Sequence, residues 1–253
     1  MIQRKPAPVA STRESLRTVP PRDERFGSAA RSTKLPGRLL PRSFFEAPPE
    51  QVAPRLLGKL LTYQVENGAK HMAGRIVEVE AYLGPHNNPP DPAAHAHRGP
   101  TPRNAVLFGP AGYAYVYTIY GRYFCLNISC ERPGQAGCVL LRALEPVAGL
   151  EQMAANRGLE RNARPRLLTS GPSRLCQAFG LTRLKHNGLD LLSSRSPLQV
   201  RNDLFTVPKV HVSARIGIKH AVDWPLRFTL PGHACVSGAR NLAGTRLVLN
   251  TVL

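Results

Sequence analysis

The order of the predicted elements gives an α+β fold in which the strands are mostly antiparallel. Segments with the period of β-strands run from Arg75 to Arg142 and are joined by turns, which is typical of hairpins. Helical segments follow them as a group, and short strands return in the last third of the chain. The chain has 253 residues, which is enough for one sizeable domain.

Residues 1–38 are predicted to be a disordered basic N-terminal arm, and residues 39–253 the folded domain. The arm contains five prolines and few large apolar residues, and it shows no sustained hydrophobic period. Nine lysines and arginines face three acidic residues there. We expect the arm to be dispensable for chemistry.

The whole chain is strongly basic, with 34 Lys and Arg against 16 Asp and Glu and a formal net charge of +18. Such an excess favours a polyanionic partner, because each neutralised phosphate releases condensed counterions. Charge alone leaves DNA, RNA and an anionic membrane open as partners. No apolar run approaches the roughly 20 residues that cross a bilayer, so we expect no membrane partner.

The N-terminus has no apolar signal region. The five cysteines are odd in number and form no CxxC pair, which favours buried thiols in a reducing compartment. We therefore expect a protein of the cytoplasm or nucleoid, or of the nucleus if the source is a eukaryote.

The ordered chain is expected to begin with a short helix that Gly58 ends, followed by a strand from Lys59 to Val65. Asn67-Gly68 is a strong hairpin-turn signal. The next strand, from about Met72 to Tyr82, carries two acidic residues. Its alternating side chains fall on two faces: Val77, Val79 and Ala81 on one, and Ile76, Glu78, Glu80 and Tyr82 on the other. Two carboxylates on one face are costly unless they are paired or used.

A long irregular connection, Gly84 to Pro110, is expected to be functional, since structureless loops of that length are uncommon in compact domains. A hairpin from Gly112 to Ser129 follows, with Tyr120-Gly121 at its tip, and then a strand from Cys138 to Leu144. His95 and His97 could be combined with Asp91 or His86 into a zinc site. Their spacing matches no closed zinc pattern, so we predict no metal and no cofactor.

The remaining elements are predicted from helical and strand periods. Helices are expected at Pro146 to Arg157 and at Leu167 to Phe179, the second beginning near Ser170-Gly171-Pro172. Strands are expected at about Leu189 to Leu192, Lys209 to Arg215 and Trp224 to Leu230.

Several of these stretches occur together in one known family. The segment from Leu40 to about Gly238 resembles the alkyladenine (3-methyladenine) DNA glycosylases, which are not helix-hairpin-helix enzymes. The similar stretches occur in order over roughly four-fifths of the chain: LPRSFFE, LLGKLL, VEVEAYLGP, AAHAHRGPTPRN, YAYVYTIYGRYFCLNIS, GCVLLRALEP, GPSRLCQAFG, RIGI and AVDWPLRF. The resemblance implies one domain with a curved, open-barrel-like sheet wrapped by helices. The His86–Pro92 loop is longer and richer in proline than the resemblance leads us to expect.

The resemblance also implies a role for individual residues. Glu80 matches the general base that activates water, and Arg142 a residue near the flipped nucleotide. Tyr120 matches the wedge that enters the base stack. The residues that match the pocket for the flipped base are Tyr82, His95, Tyr117 and Asn127. Glu78, by contrast, is expected to be structural and to pair with an arginine or cap a loop.

The function that follows is monofunctional hydrolysis of the N-glycosidic bond of damaged purines in double-stranded DNA, by a monomer. A base cannot be reached inside the stack, so the nucleotide has to be flipped out. The substrates implied are 3-methyladenine and 7-methylguanine, with deaminated or etheno-bridged purines as further candidates. Two alternatives remain: a non-catalytic protein that binds damaged DNA on the same scaffold, and a general basic RNA- or DNA-binding protein.

Overall fold

A ten-stranded antiparallel sheet forms the frame of the protein in a computed structural model, which describes residues 35–64, 71–238 and 246–249. The strands are β1 (Arg38–Leu39), β2 (Leu60–Gln64), β3 (His71–Tyr82), β4 (Ala114–Ile119), β5 (Tyr123–Cys130), β6 (Gly137–Ala148), β7 (Leu198–Asn202), β8 (Lys209–Ser213), β9 (Arg227–Thr229) and β10 (Arg246–Leu249). The helices are α1 (Pro49–Leu56), α2 (Leu150–Asn156), α3 (Pro165–Thr169), α4 (Pro172–Phe179) and α5 (Arg183–His186), with short 3-10 turns at Arg42–Phe44 and Ala105–Phe108.

The long strand β3 is the centre of the sheet, whose main order is β1-β7-β2-β3-β6-β5-β4. One edge of β3 pairs with β6, while the other edge is shared by two strands. Its first half pairs with β2, Leu60 opposite Arg75, and its second half pairs with β9, Glu78 opposite Thr229. The register against β6 shifts on both sides of Glu78, and such bulges increase local twist. The open, mostly antiparallel sheet of the predicted α+β fold is thereby confirmed.

The helices cover the sheet and close one large hydrophobic core. Helix α1 packs on β3 and β6, and α4 packs on β5 and β6 as well as on α2 and α3. Phe45, Leu56 and Phe179 are completely buried in this core. A smaller cluster, which includes Leu107 and Tyr115, lies under the long loop between β3 and β4.

Two helix predictions need correction. Residues predicted to begin a helix at Pro146 instead continue β6 to Ala148, and α2 begins only after Gly149, whose φ of 75° ends the strand. The segment predicted as one helix from Leu167 is two helices, α3 and α4. Gly171, with a φ of 121°, separates them, so Ser170-Gly171-Pro172 starts only the second helix.

In the last third of the chain, the strand predicted at Leu189 to Leu192 is wrong, since the segment makes only an isolated bridge between Asp190 and Tyr113. Strand β7 was not predicted. The other two predicted strands contain β8 and β9, as expected. The single-face assignment of Ile76 with the acids is also wrong, because the bulges beside Glu78 break the alternation and Ile76 joins the main core.

The predicted N-terminal arm lies outside the described residues from position 1 to 34, as does the predicted Asn67-Gly68 turn. The last residues of the arm, 35–38, are described, and Arg38 pairs with Asn202 at the edge of the sheet. Arg201 Nη2 donates to the carbonyl oxygen of Gly37 at 2.8 Å. In the described part of the chain, no helix has the length and apolar character that a membrane span needs.

Candidate active site

A cavity of about 610 Å³ opens where β4, β5 and β6 meet the two loops that follow β3 and β8. Its size falls within the range usual for small-molecule sites. The residues that line it are Tyr82, Pro92, Ala93, His95, Arg103, Tyr115, Tyr117, Ile119, Tyr120, Cys125, Asn127, Cys138, Leu140, Arg142, Pro172, Ile216, Gly217, Ile218, Lys219 and His220. Six of the seven predicted site residues are among them. The seventh, Glu80, contacts two of these lining residues, Tyr82 and Arg142.

Three aromatic rings form one wall of the cavity. The His95 ring lies against Tyr117 with their centroids 4.5 Å apart, and Tyr117 stacks on Tyr115 at 5.5 Å. His95 Nδ1 is 2.9 Å from the Tyr115 hydroxyl oxygen. Tyr115 and Tyr117 point to the same side because they are two residues apart on β4.

The side chains of this wall are neutral at physiological pH. Burial, and after it the charge of Arg103, lowers the pKa of His95 below its ordinary value. Burial raises the pKa of Tyr115 to about 12, and it also raises the pKa of Tyr117 above the ordinary value. The guanidinium of Arg103 lies over the Tyr117 ring, 5.7 Å from its centroid, so a positive charge stands beside this neutral wall.

The loop that carries His95 is held by a buried asparagine. Asn104 is 2% exposed, and its Nδ2 donates to the carbonyl oxygens of His95 at 2.8 Å and Gly99 at 3.1 Å. Its Oδ1 accepts from the backbone and hydroxyl of Thr101. These bonds satisfy loop backbone that would otherwise be unpaired, and they fix the position of His95 against β4.

Tyr120 is at the tip of the β4–β5 hairpin, as predicted, and its side chain is 88% exposed. The backbone φ is 48° at Tyr120 and 69° at Gly121, so both central residues of the Ile119–Arg122 turn have positive φ, as those of a type I′ turn do. A tyrosine is a costly choice at such a position. The turn therefore presents an aromatic ring to solvent at the rim of the cavity.

Asn127 lines the cavity together with Cys138 and Leu140 on β6. Asn127 is 4% exposed, and its Nδ2 donates to the carbonyl oxygen of Tyr115 at 3.4 Å. The Cys138 thiol contacts its Oδ1 at 3.8 Å. All five cysteines are free and buried, which agrees with the predicted thiols.

Glu80 is completely buried; two hydrogen-bond donors and one arginine among the described residues contact its carboxylate. The Tyr82 hydroxyl donates to Oε2 at 2.9 Å, and the Ile216 backbone amide donates to Oε1 at 2.8 Å. Arg142 Nη1 lies 3.3 Å from Oε1. Burial raises the pKa of Glu80 above its ordinary value, although Arg142, the Ile216 amide and the Tyr82 hydroxyl oppose the shift.

Glu78 is equally buried and has four donors. Its Oε1 accepts from Arg142 Nε at 3.0 Å, from Arg227 Nε at 2.8 Å and from the Ser237 hydroxyl at 2.9 Å. Its Oε2 accepts from the Ser237 amide at 2.6 Å. The predicted pairing of Glu78 with an arginine is confirmed, and Arg142 links the two acids.

The residues considered for a zinc site do not meet. In the described ranges, no three His, Cys, Asp or Glu side chains come together as a metal would require. Asp91 pairs instead with Arg215, and both side chains are fully buried.

Sequence reasoning missed Arg103, Tyr115 and the loop 215–220 as parts of the site. Arg103 is recognisable in sequence only as one of many arginines. Tyr115 had a visible signal, since it shares a face with Tyr117.

Comparison with known proteins identifies the class. The model of the methylpurine-DNA glycosylase family matches residues 43–234. A protein of Koribacter versatilis named "Putative 3-methyladenine DNA glycosylase" is 52% identical over 203 residues, which are 80% of this chain and 95% of the relative. Proteins of the same name from Rhodopseudomonas palustris and Burkholderia cenocepacia are 47% and 45% identical, over 77% and 81% of this chain and 85% and 93% of their own lengths.

The fold, the cavity and these relatives define a DNA glycosylase, a hydrolase of N-glycosyl bonds that binds DNA and acts in base excision repair. The chain belongs to the methylpurine-DNA glycosylase family.

Proposed function

We propose that the protein is a monofunctional glycosylase that flips alkylated purines, such as 3-methyladenine and 7-methylguanine, out of duplex DNA and releases them with a water activated by Glu80. The observation that carries this proposal is the acceptor capacity of Glu80. A carboxylate has about four lone-pair sites, and among the described residues two groups donate hydrogen bonds to Glu80 while Arg142 Nη1 lies 3.3 Å from its Oε1. Acceptor capacity is therefore left for a water molecule, beside Tyr82 and Arg142, which line the cavity.

The cavity wall suits a cationic purine. Alkylation at a ring nitrogen gives the base a positive charge, and flipped bases stack on aromatic side chains. Tyr82 and Tyr117 both line the cavity, and His95 is neutral because its pKa is lowered, so His95 adds no repulsion. The buried amide of Asn127 also lines the cavity, which supports its place in the pocket for the flipped base.

Flipping leaves a gap in the base stack that has to be filled. Tyr120, 88% exposed at the tip of its hairpin and at the rim of the cavity, supports the role of wedge. Arg103 and Lys219 also line the cavity, and cations there would contact the phosphates of the extruded nucleotide.

The chemistry requires an anion beside the sugar. Departure of a cationic base leaves an oxocarbenium-like centre, which the Glu80 carboxylate would stabilise while taking a proton from the attacking water. An alkylated purine leaves as a neutral base, so this step needs no second acid. Arg142 would hold Glu80 in its ionised form, since its charge opposes the effect of burial on the Glu80 pKa.

A strand-cleaving activity would need an amine nucleophile. Such lysines are activated by desolvation, whereas Lys219, the lysine among the lining residues, is exposed. One copy of the chain carries all the residues named here, so we also propose that it acts as a monomer.

The test is single-turnover release of 3-methyladenine from methylated duplex DNA by the wild type and by Glu80→Gln, which keeps the size of the side chain and removes its charge. We expect the rate to fall about 10²- to 10⁴-fold while binding of damaged duplex is kept. Glu145→Gln, a partly exposed acid on β6, is the matched control and should release base as the wild type does. Borohydride should trap no covalent adduct in either reaction.

Equal rates for the wild type and Glu80→Gln would show that Glu80 is not the catalytic residue. If neither released base while both bound damaged duplex tightly, the chain would be a reader of damage rather than an enzyme for this lesion. A borohydride-trapped adduct would contradict the monofunctional assignment.

A further inference from the structure

A second buried ion pair lies next to Glu80, between the two loops that frame the cavity. Asp91, in the loop after β3, is completely buried, and so is the side chain of Arg215, which follows β8. Arg215 Nη1 and Nη2 bind the two carboxylate oxygens of Asp91, the second at 2.9 Å. Buried charges are costly to desolvate unless they are paired or used, so the pair needs an explanation.

Both side chains also form hydrogen bonds with backbone groups at or just after the end of β3. Arg215 Nη1 donates to the carbonyl oxygen of Ala81 at 3.0 Å. Asp91 accepts from the amide of Leu83 at 3.2 Å and from the amide of Ala93 at 3.0 Å. The pair thus ties both loops to the strand that carries Glu80.

Arg215 also lies beside both groups that donate hydrogen bonds to Glu80. Its guanidinium carbon lies 4.5 Å from the centroid of the Tyr82 ring, whose hydroxyl donates to Glu80. The next residue along the chain is Ile216, whose backbone amide donates to Glu80 as well. Within the described residues, Arg215 Nε is buried without a hydrogen-bond partner, so the geometry favours contact with Tyr82 over full pairing.

We propose that the Asp91–Arg215 pair is a positioning device for Glu80, which holds the Tyr82 hydroxyl and the Ile216 amide against the catalytic carboxylate. The proposal rests on the proposed role of Glu80. The proposal also gives a role to the His86–Pro92 loop, to which the resemblance assigned none. This loop places Asp91 where it binds Arg215.

In this role neither Asp91 nor Arg215 would touch the substrate. Both would act through the protonation state of Glu80. The titratable and charged groups around Glu80 are Tyr82 and Glu78 on its own strand, Arg142 on β6, Cys125 on β5, and Arg215 over Tyr82. The Tyr82 hydroxyl and the Ile216 amide both lower the pKa of Glu80. Loosening them would raise that pKa further, so a larger fraction of Glu80 would be protonated in mild acid.

The chain offers a matched control at the other side of the sheet. Asp203, after β7, also binds an arginine through both oxygens, with Arg75 Nη1 and Nη2 at 3.0 and 2.8 Å. The Arg75 guanidinium lies 4.1 Å from the Phe205 ring centroid. The same constellation of Asp, Arg and aromatic ring therefore occurs away from the cavity, although it is more exposed.

The experiment is the pH profile of single-turnover base release by the full chain carrying Asp91→Asn or Asp203→Asn. For Asp91→Asn we expect at least a tenfold lower rate at pH 6. The acidic limb of the pH–rate profile, where the rate falls as Glu80 becomes protonated, should move to higher pH. Binding to an abasic-analogue duplex should stay within about twofold of wild type. Asp203→Asn should keep the wild-type profile. Arg215→Lys, which keeps the charge but not the planar fork, should shift the limb in the same direction, and it replaces Asp91→Asn if that variant does not fold.

A wild-type acidic limb in folded Asp91→Asn or Arg215→Lys would overturn the proposal. An equal shift in Asp203→Asn would also overturn it, because the effect would then be general. Failure of the underlying function is distinguishable: it would appear as wild-type release by Glu80→Gln, whereas failure of this inference leaves Glu80→Gln inactive.

Discussion

Glu78 and Glu80 lie two residues apart on β3, and both are completely buried, yet their surroundings differ. Glu78 accepts four hydrogen bonds, three of them from the side chains of Arg142, Arg227 and Ser237. The number of donors equals the roughly four acceptor sites of a carboxylate, although three of the four share Oε1. Glu80 accepts two hydrogen bonds from the described residues and pairs with one arginine, and its pKa is raised, so it keeps acceptor capacity and its charge is less well compensated.

The difference separates a structural acid from a candidate catalytic one. The Glu78 carboxylate is engaged by four protein donors, and its charge stabilises Arg142 and Arg227 beside it. A carboxylate with a free acceptor site, next to a cavity, can bind a water molecule. Burial and charge do not distinguish the two residues; the count of donors does.

The largest effect that tests this difference is expected on stability. Glu78→Gln removes the charge that compensates Arg227, which is 2% exposed, and places amide hydrogens against the Ser237 donors. Breaking a buried ion pair from one side costs about 3–5 kcal/mol. The free energy of unfolding in urea should fall by that amount.

Glu80→Gln should lose much less stability in the same measurement at pH 7–8. A raised Glu80 pKa means that the folded protein binds the proton more tightly than the unfolded chain, so stability is lost as the pH rises through the raised pKa. The neutral glutamine avoids that loss. If Glu80→Gln were the more destabilised variant, the two assignments would have to be exchanged.

A second test uses the two arginines that both bind Glu78 Oε1. Arg142 also reaches Glu80, at 3.3 Å, whereas Arg227 does not. Arg142→Gln removes a charge that lowers the pKa of Glu80, so the acidic limb of base release should move to higher pH. The rate at neutral pH should fall about 10²-fold, as for loss of one strong donor at a reacting site.

Arg227→Gln is the control for that variant. It should lose stability because Glu78 loses a partner, but its acidic limb should stay at the wild-type pH. A limb that moves equally in both variants would mean that Glu80 responds to the network as a whole and that the separation of the two acids does not hold.

The sequence predicted the parts of this arrangement that depend on local pattern. The strand period of Met72 to Tyr82 and the tip at Tyr120-Gly121 are both found in the structure. The resemblance brought together Glu80, His95 and Arg142, which the fold indeed gathers at one cavity. What each residue does there stays a prediction until it is measured.

The parts that were not predicted depend on contacts between distant segments. Arg215 and Asp91 are separated by 124 positions in sequence, and neither belongs to a pattern that indicates a partner. The strand extension to Ala148 was mistaken for a helix because its pairing with Ala73 on β3 decides its conformation, which outweighs local propensity. The donor count that distinguishes Glu78 from Glu80 likewise exists only in the folded chain.

The smallest expected effect concerns a single hydroxyl at Glu80. Tyr82→Phe removes the donor 2.9 Å from Oε2 and keeps the ring beneath Arg215. The lost hydrogen bond lowers the pKa of Glu80 in the wild type, so the acidic limb should move to higher pH, by less than in Arg142→Gln. A hydrogen bond to a charged group contributes about 1.5–3 kcal/mol, which sets an upper bound of roughly 10²-fold on the loss of rate. Tyr113 also has an arginine beside its ring, at 5.2 Å, and Tyr113→Phe should leave the pH profile unchanged. A larger shift of the acidic limb in Tyr82→Phe than in Arg142→Gln would show that the hydroxyl, rather than the cation, governs the charge of Glu80.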